Sequence, residues 1–142
     1  MSTNVVVDSW AAIAFLRGED PAANVVRRYL KRAVTGNLSL FMSVINLGEV
    51  FYRMAQIAGD DAASAHLRRF RRLPIEIVAV RESQALEAAH IKAHHRLAYA
   101  DAFAVSTAMS LGGAVLTGDP EIVALPKNLV RVVCLPRKEP GD

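Results

Sequence analysis

The strongest constraint on the fold is a series of short, nearly continuous runs rich in Val, Ile and Leu, most of them leading into a stretch of helical length. Residues 4–7, 38–42, 75–80, 114–117 and 129–135 are each apolar but for one residue (Asn4, Ser39, Glu76, Thr117 and Arg131), too continuous for the alternation of half-exposed antiparallel strands. A strand that is apolar at every position is buried on both faces, which is the condition of a parallel sheet covered by helices on each side. Between the runs, residues 10–16, 22–34, 44–58, 62–72, 82–96 and 99–111 have the length and pattern of helices. The resulting order, β-α-α-β-α-α-β-α-α-β-β, predicts an α/β protein: a three-layer α/β/α sandwich with a central, mainly parallel sheet. At 142 residues the chain is expected to form one domain, over residues 1–135, followed by a polar tail at 136–142 that carries Pro136 and Pro140.

Local punctuation supports these boundaries. Asp20-Pro21 reads as an N-cap followed by proline at the first helical position, and Gly36 ends that helix. Ser43 reads as the N-cap of the helix at 44–58, and Gly59-Asp60 as its end and the cap of the next. Pro74 and Gly112-Gly113 stop two further helices. Residues 97–116 form a twenty-residue stretch whose one charge is Asp101, a length that invites a membrane reading. Alanine, the glycine pair and the hydroxyls of Ser106, Thr107 and Ser110 make insertion poor, so a buried helix followed by a strand is expected.

Composition narrows the function classes. Hydrophobic residues at 52% exclude a disordered or low-complexity chain and leave apolar surface that a partner could cover. A net charge of +3 suits a polyanionic partner without requiring one. One cysteine, Cys134, allows neither an internal disulfide nor a cysteine zinc cage; it fits a reducing cytoplasm and is expected to be a small buried residue of the last strand. The start, MSTNVVVD, lacks the pattern of a secretory signal. No GxSxG elbow, Walker loop or GxGxxG follows a strand, so acyl transfer, nucleotide hydrolysis and dinucleotide binding have no local support.

The chemistry-bearing residues are acidic. Asp8 directly follows the first strand and Asp119 follows the fourth after one glycine. If those strands are neighbours, both carboxylates project into the crevice beyond the strand ends where ligands of open parallel sheets bind. Helix capping is the competing account of both. Asp101 lies in the first turn of an otherwise apolar helix, where an ionised carboxylate is costly unless paired or bound to metal. The helix N-terminus is its structural alternative, worth about 0.5–2 kcal/mol. Glu49 lies opposite an apolar arc of Leu47, Val50, Phe51 and Met54, and Arg53 at i+4 offers it an ordinary surface ion pair, although Ile45 and Tyr52 flank it.

Four carboxylates in one crevice would raise one another's pKa values unless a divalent cation neutralised them. An all-oxygen set selects a hard ion, Mg²⁺ or Mn²⁺, and the chemistry such a site serves is phosphodiester hydrolysis.

Taken together, VVVDSWAAIAFLRGE, NLGEVFYR and LAYADAFAVSTAMSLGGAVLTGDPEI, in that order and with this succession of elements, resemble a PIN domain, specifically the VapC-type ribonuclease toxins of bacterial toxin–antitoxin pairs. The resemblance spans nearly the whole chain. It implies an acidic metal site of Asp8, Glu49, Asp101 and Asp119, with Asp8 and Asp101 as direct ligands, and Ser9 and Thr117 as hydroxyls that orient the carboxylates. It also implies an endoribonuclease using Mg²⁺ or Mn²⁺, an RNA substrate, dimerisation and inhibition by a cognate antitoxin. Ala98 departs from the pattern, standing where many relatives have a small hydroxyl residue before the third aspartate.

Other functions fit part of the pattern. An RNA-processing nuclease without an antitoxin would look similar, and a binding module would keep the fold and use only its basic surface. A receiver-like domain is disfavoured because Asp8 has no adjacent acid and the third strand ends without an aspartate. Arg27, Arg28, Lys31 and Arg32, and separately Arg68, Arg69, Arg71 and Arg72, cluster on helices; they suit RNA, an antitoxin or plain solvation. Lys92 and Arg96 lie nearer Asp101 in sequence. His90 and His94 have a zinc-compatible spacing but lack the glutamate of a metalloprotease motif, so an exposed helix face is expected. Trp10, Phe15, Tyr52 and Phe103 are expected in the core.

Overall fold

The structure is a computed structural model that describes residues 3–138. Five strands, β1 (Thr3–Val7), β2 (Leu38–Ser43), β3 (Ile75–Val78), β4 (Ala114–Thr117) and β5 (Arg131–Cys134), form one sheet in the order β3-β2-β1-β4-β5. Every pairing is parallel. The helices are α1 (Ser9–Leu16), α2 (Ala22–Val34), α3 (Val44–Ala58), α4 (Asp60–Phe70), α5 (Glu82–His94), α6 (Tyr99–Ser110) and α7 (Pro120–Val123). This is the expected α/β architecture, with α7 added in what the sequence presented as a plain connection.

The apolar runs of the central strands β1 and β4 are explained by the two cores, whereas the edge strands β3 and β5 are only partly covered. Successive strand residues point to opposite faces, so Val5, Val7 and Leu116 enter one core with α1 to α4, while Val6 and Val115 enter the other with α5, α6 and α7. Val6, Val115 and Leu116 are fully buried, each burial stabilising the fold by about 1.5–3 kcal/mol. Residues 102–108 of α6 are buried on all sides, which accounts for the apolar stretch that raised the membrane question. Among the described residues no helix is long and apolar enough to cross a membrane.

Several local expectations change. Asp20–Pro21 is a cis peptide bond, and Pro21 precedes α2 without a side-chain cap; Asp20 instead accepts a hydrogen bond from the Asn24 N–H at 3.2 Å. α4 starts at Asp60, with Gly59 serving as the end of α3 and the cap of α4 at φ +91°, a conformation that favours glycine. Ser43 caps α3 as expected, accepting from the Ile45 N–H at 3.2 Å. Cys134 is exposed rather than buried, because β5 is an edge strand with one side open. Tyr52 is also exposed and Trp10 half-buried, whereas Phe15 and Phe103 are in the core. Leu135 is buried and residues 136–138 are exposed without regular structure; the remainder of the expected tail, 139–142, lies outside the described residues.

Candidate metal centre

The sheet order places the site. From β1 the chain builds outward through β2 to β3, then returns to place β4 on the other side of β1, so the order reverses between β1 and β4. Val7 pairs with Leu116, which brings the carboxyl ends of the two strands together and sets Asp8 and Asp119 on the same rim. A crevice at such a reversal is where open parallel sheets bind ligands.

Asp8 is completely buried and held at both oxygens. Its Oδ1 accepts from the Ala11 N–H at 2.9 Å as the N-cap of α1, and its Oδ2 accepts from the Thr117 hydroxyl. That hydroxyl in turn accepts from the Asp119 N–H at 2.9 Å, so a single threonine ties both aspartates together. Asp119 caps α7 through Oδ1, with the Glu121 N–H at 2.8 Å and the Ile122 N–H at 3.3 Å. Capping and membership of an acidic centre are therefore compatible in both residues, since each carboxylate has further lone pairs to offer.

Asp101 is buried at the third position of α6. Ala98, the cap residue, has no side chain to satisfy the helix, and the Asp101 carboxylate accepts from the Ala98 backbone N–H, half of a capping box. The carboxylates of Asp101, Asp119 and Glu121 offer ligand atoms within 4.8 Å of one another. Nothing in the sequence marks Glu121; the short α7 that turns it back toward Asp119 is what brings it in. Asp8 and Glu49 lie outside that closest trio but face it electrostatically, Asp8 toward Asp101 and Asp119, and Glu49 toward Asp101.

Glu49 does not simply face water. Its Oε1 accepts from the Ser9 hydroxyl at 2.7 Å, and its Oε2 lies 3.7 Å from Arg53. Asn46, one turn earlier on α3, is fully buried and donates to the Ala100 carbonyl at 3.0 Å, locking α3 to the start of α6 and so Glu49 to the neighbourhood of Asp101. Gly118 completes the frame: a Cβ there would lie 2.4 Å from the Trp10 ring, so only glycine lets the indole lie across the β4–α7 turn.

The electrostatics are those of a site short of positive charge. Burial, above all, pushes Asp8 up from 3.8 to about 8, against the pull of the Thr117 and Ala11 hydrogen bonds, with Asp101 and Asp119 adding to the rise. Burial likewise pushes Asp101 up to about 7, with Asp119, Glu49 and Glu121 adding to it. Among the described residues the only cations paired within this group are Arg53 with Glu49 and Arg96 with Glu121, both arginines largely exposed, and none pairs with the three aspartates. An all-carboxylate donor set of this kind suits a hard divalent cation, which would relieve the repulsion directly.

His90 and His94 lie side by side on an exposed face of α5, ring centroids 4.4 Å apart and tilted by 53°, and no third ligand joins them among the described residues. Lys92 donates to the Leu97 carbonyl at 2.9 Å and is thereby turned to a structural task.

The chain is thus an all-parallel α/β sandwich with a carboxylate cluster at the reversal of its strand order. The chain belongs to the PIN-domain family, whose pattern matches residues 5–128. The same fold is found in VapBC2 from Rickettsia felis, solved bound to a DNA fragment from its promoter, at a TM-score of 0.73 and 14% identity, with 94% of this chain and 100% of that chain covered. DNA-bound VapBC from Salmonella typhimurium is similar at a TM-score of 0.73 and 17% identity, covering 94% and 98%. Mycobacterium tuberculosis VapC20, a sarcin-ricin loop cleaving toxin, is similar at 0.69 and 16%, covering 84% and 93%. No curated protein matches the sequence.

Proposed function

We propose that this PIN domain, formed by residues 1–135, is a metal-dependent endoribonuclease and the toxin of a toxin–antitoxin pair, acting in the cytoplasm. The observation that carries the reading is the cluster of Asp101, Asp119 and Glu121 beside a buried Asp8, with no cation among the described residues to balance the aspartates. The structural likeness to VapC20 and to VapBC complexes supports the choice of RNA and of an antitoxin partner.

In this reading Asp101, Asp119 and Glu121, with the buried Asp8 that faces Asp101 and Asp119, would hold Mg²⁺ or Mn²⁺. Such an ion supplies positive charge to the phosphate as its negative charge grows, and acidifies water. Thr117 keeps the Asp8 carboxylate in one orientation while spacing it from Asp119, and the N-terminus of α7 does the same for Asp119. Ser9 holds Glu49 through Oε1, and the carboxylate so held would orient the attacking water. Addition of water to phosphorus breaks the P–O bond to the neighbouring nucleotide, leaving one fragment with a phosphate and the other with a hydroxyl. A homodimer, and a hetero-oligomer with the antitoxin, belong to the same proposal, and exposed Ile45, Tyr52, Ile57 and Tyr99 provide apolar surface for such contacts.

The test is cleavage of total cellular RNA by the purified protein with Mg²⁺ or Mn²⁺, with EDTA, and by Asp8→Asn. Discrete fragments that disappear in EDTA and in the variant are expected. Absence of cleavage by metal-loaded, antitoxin-free protein would overturn the nuclease reading in favour of a binding module.

A further inference from the structure

The two basic clusters are far apart in sequence, and the fold joins them. The guanidinium carbon of Arg27, on α2, lies 6.0 Å from the centre of the Phe15 ring, and that of Arg69, on α4, lies 5.4 Å from the same ring. Phe15 is buried in α1, so its ring serves as a fixed post that both helices present an arginine to. Arg32 is similarly placed over Tyr29, at 5.4 Å. Arg27 and Arg69, one from each cluster, thus meet at one ring and bring the ends of the two clusters together, and all eight basic residues are exposed.

None of these eight forms an ion pair among the described residues. α2 contains no acidic residue, and the two acids of α4, Asp60 and Asp61, stand at the opposite end of that helix from Arg68 and Arg69. At the start of α2, Glu19 is engaged by Arg17 at 3.4 Å. The concentration of charge is larger than the net value suggests: without these eight, nine basic side chains face fourteen acidic ones, a net −5. The protein is therefore divided between a basic surface and an acidic remainder that includes the candidate metal centre. An acidic centre repels a polyanion, so a nuclease built this way needs cations elsewhere to hold its substrate.

We propose that the basic residues of α2 and those at and just after the end of α4, joined where Arg27 and Arg69 meet at Phe15, form a docking surface for the phosphate backbone of RNA, separate from the carboxylates that cut it. The inference rests on the nuclease reading for its choice of RNA, and it makes the substrate an RNA long or folded enough to touch both places. Backbone contacts of this kind fix register without reading sequence, so selectivity comes from the shape of the RNA.

The test is equilibrium binding of a fluorescent oligouridylate of about 20 nucleotides, and of an RNA hairpin of similar length, by anisotropy in EDTA between about 50 and 200 mM salt. Binding in EDTA does not depend on cleavage. The variant Arg28→Ser/Arg32→Ser/Arg68→Ser/Arg72→Ser spares the two arginines that touch Phe15 and should fold normally. It is expected to weaken binding at least about tenfold at the lower salt and to reduce the slope of log affinity against log salt by about 3, at roughly 0.7 for each phosphate no longer neutralised. Arg81→Ser/Lys127→Ser, removing two exposed cations from elsewhere, is expected to change both readouts little. Affinity and slope equal to wild type in the fourfold variant would overturn the assignment and leave an acidic polypeptide as the ligand of the surface. Failure of the wild type to bind either RNA would overturn it too. Binding that depends on the surface, in a protein that cuts no RNA, would uphold the docking surface and remove the nuclease reading.

Discussion

The hydroxyl of Thr117, at the end of β4, donates to Oδ2 of Asp8, at the end of β1, across 109 residues of sequence. Two neighbouring parallel strands are thus linked at the rim where the chain reverses its order, and a carboxylate that the apolar interior would otherwise reject is held in one orientation.

Thr117→Val keeps the shape of the side chain and removes that hydrogen bond. Asp8 then loses an orienting partner within a fully buried site, and metal-dependent cleavage is expected to fall by about 10–100-fold. Ser9→Ala, which frees Glu49 Oε1, is expected to cost about tenfold. Single-turnover cleavage rates at saturating Mn²⁺ measure both; an unchanged rate in either would remove that hydroxyl from the site.

Asp8→Asn preserves the acceptor for Ala11 while removing a charge that burial opposes. Cleavage is expected to drop by more than about a hundredfold, as a ligating carboxylate matters more than its supporting partners. In EDTA at pH 8 the variant is expected to melt higher than wild type by about 3–6 °C, the shift given by roughly 1–2 kcal/mol in a domain of this size. A lower melting temperature would show that the carboxylate is stabilising and overturn the picture of a strained, cation-free site.

The raised acids also set a pH dependence. Asp8 and Asp101 ionise at about 8 and about 7 in the folded chain, against 3.8 for the free side chain. Their contribution is fully present below pH 3.8 and is lost as pH rises through the folded values, because the unfolded chain gives up these protons more readily. Metal-free protein is therefore expected to lose this stability between about pH 4 and 8, and Asp8→Asn to flatten the fall. Added Mn²⁺ should restore most stability at the alkaline end, where the carboxylates are ionised. Thermal melts across this range with EDTA and with Mn²⁺ supply the comparison; an equal gain from Mn²⁺ at every pH would contradict binding at these aspartates.

Gly113→Ala tests the frame rather than the chemistry. A Cβ at Gly113 would lie 2.3 Å from the Asn4 carbonyl oxygen, a backbone atom of β1 that cannot step aside. A loss of about 2 kcal/mol or more, or about 5–10 °C in melting temperature, is expected. A melt within a degree of wild type would mean that β1 and β4 tolerate wider spacing than this packing implies.

The architecture was legible in local features of the chain. Nearly continuous apolar runs are best satisfied between two helical layers, as β1 and β4 are, and glycine, proline and Ser43 mark most helix ends within a few residues, because strand burial and capping are local demands that each segment states for itself. The resemblance carried by the segments around Asp8, Glu49 and Asp101 was legible for the same reason. Features that join residues distant in sequence emerged only with the tertiary fold. Which way Glu49 faces was settled by Ser9 and by Asn46 docking on Ala100, not by the periodicity of α3. Glu121 joined the acids because a helix of four residues turned it back, too short a signal for any periodic pattern. The exposure of Cys134 followed from β5 being last in the sheet, and the union of the two arginine clusters from a ring on a third helix. Strand order and helix docking are set by the summed burial of the whole chain, and no single segment records them.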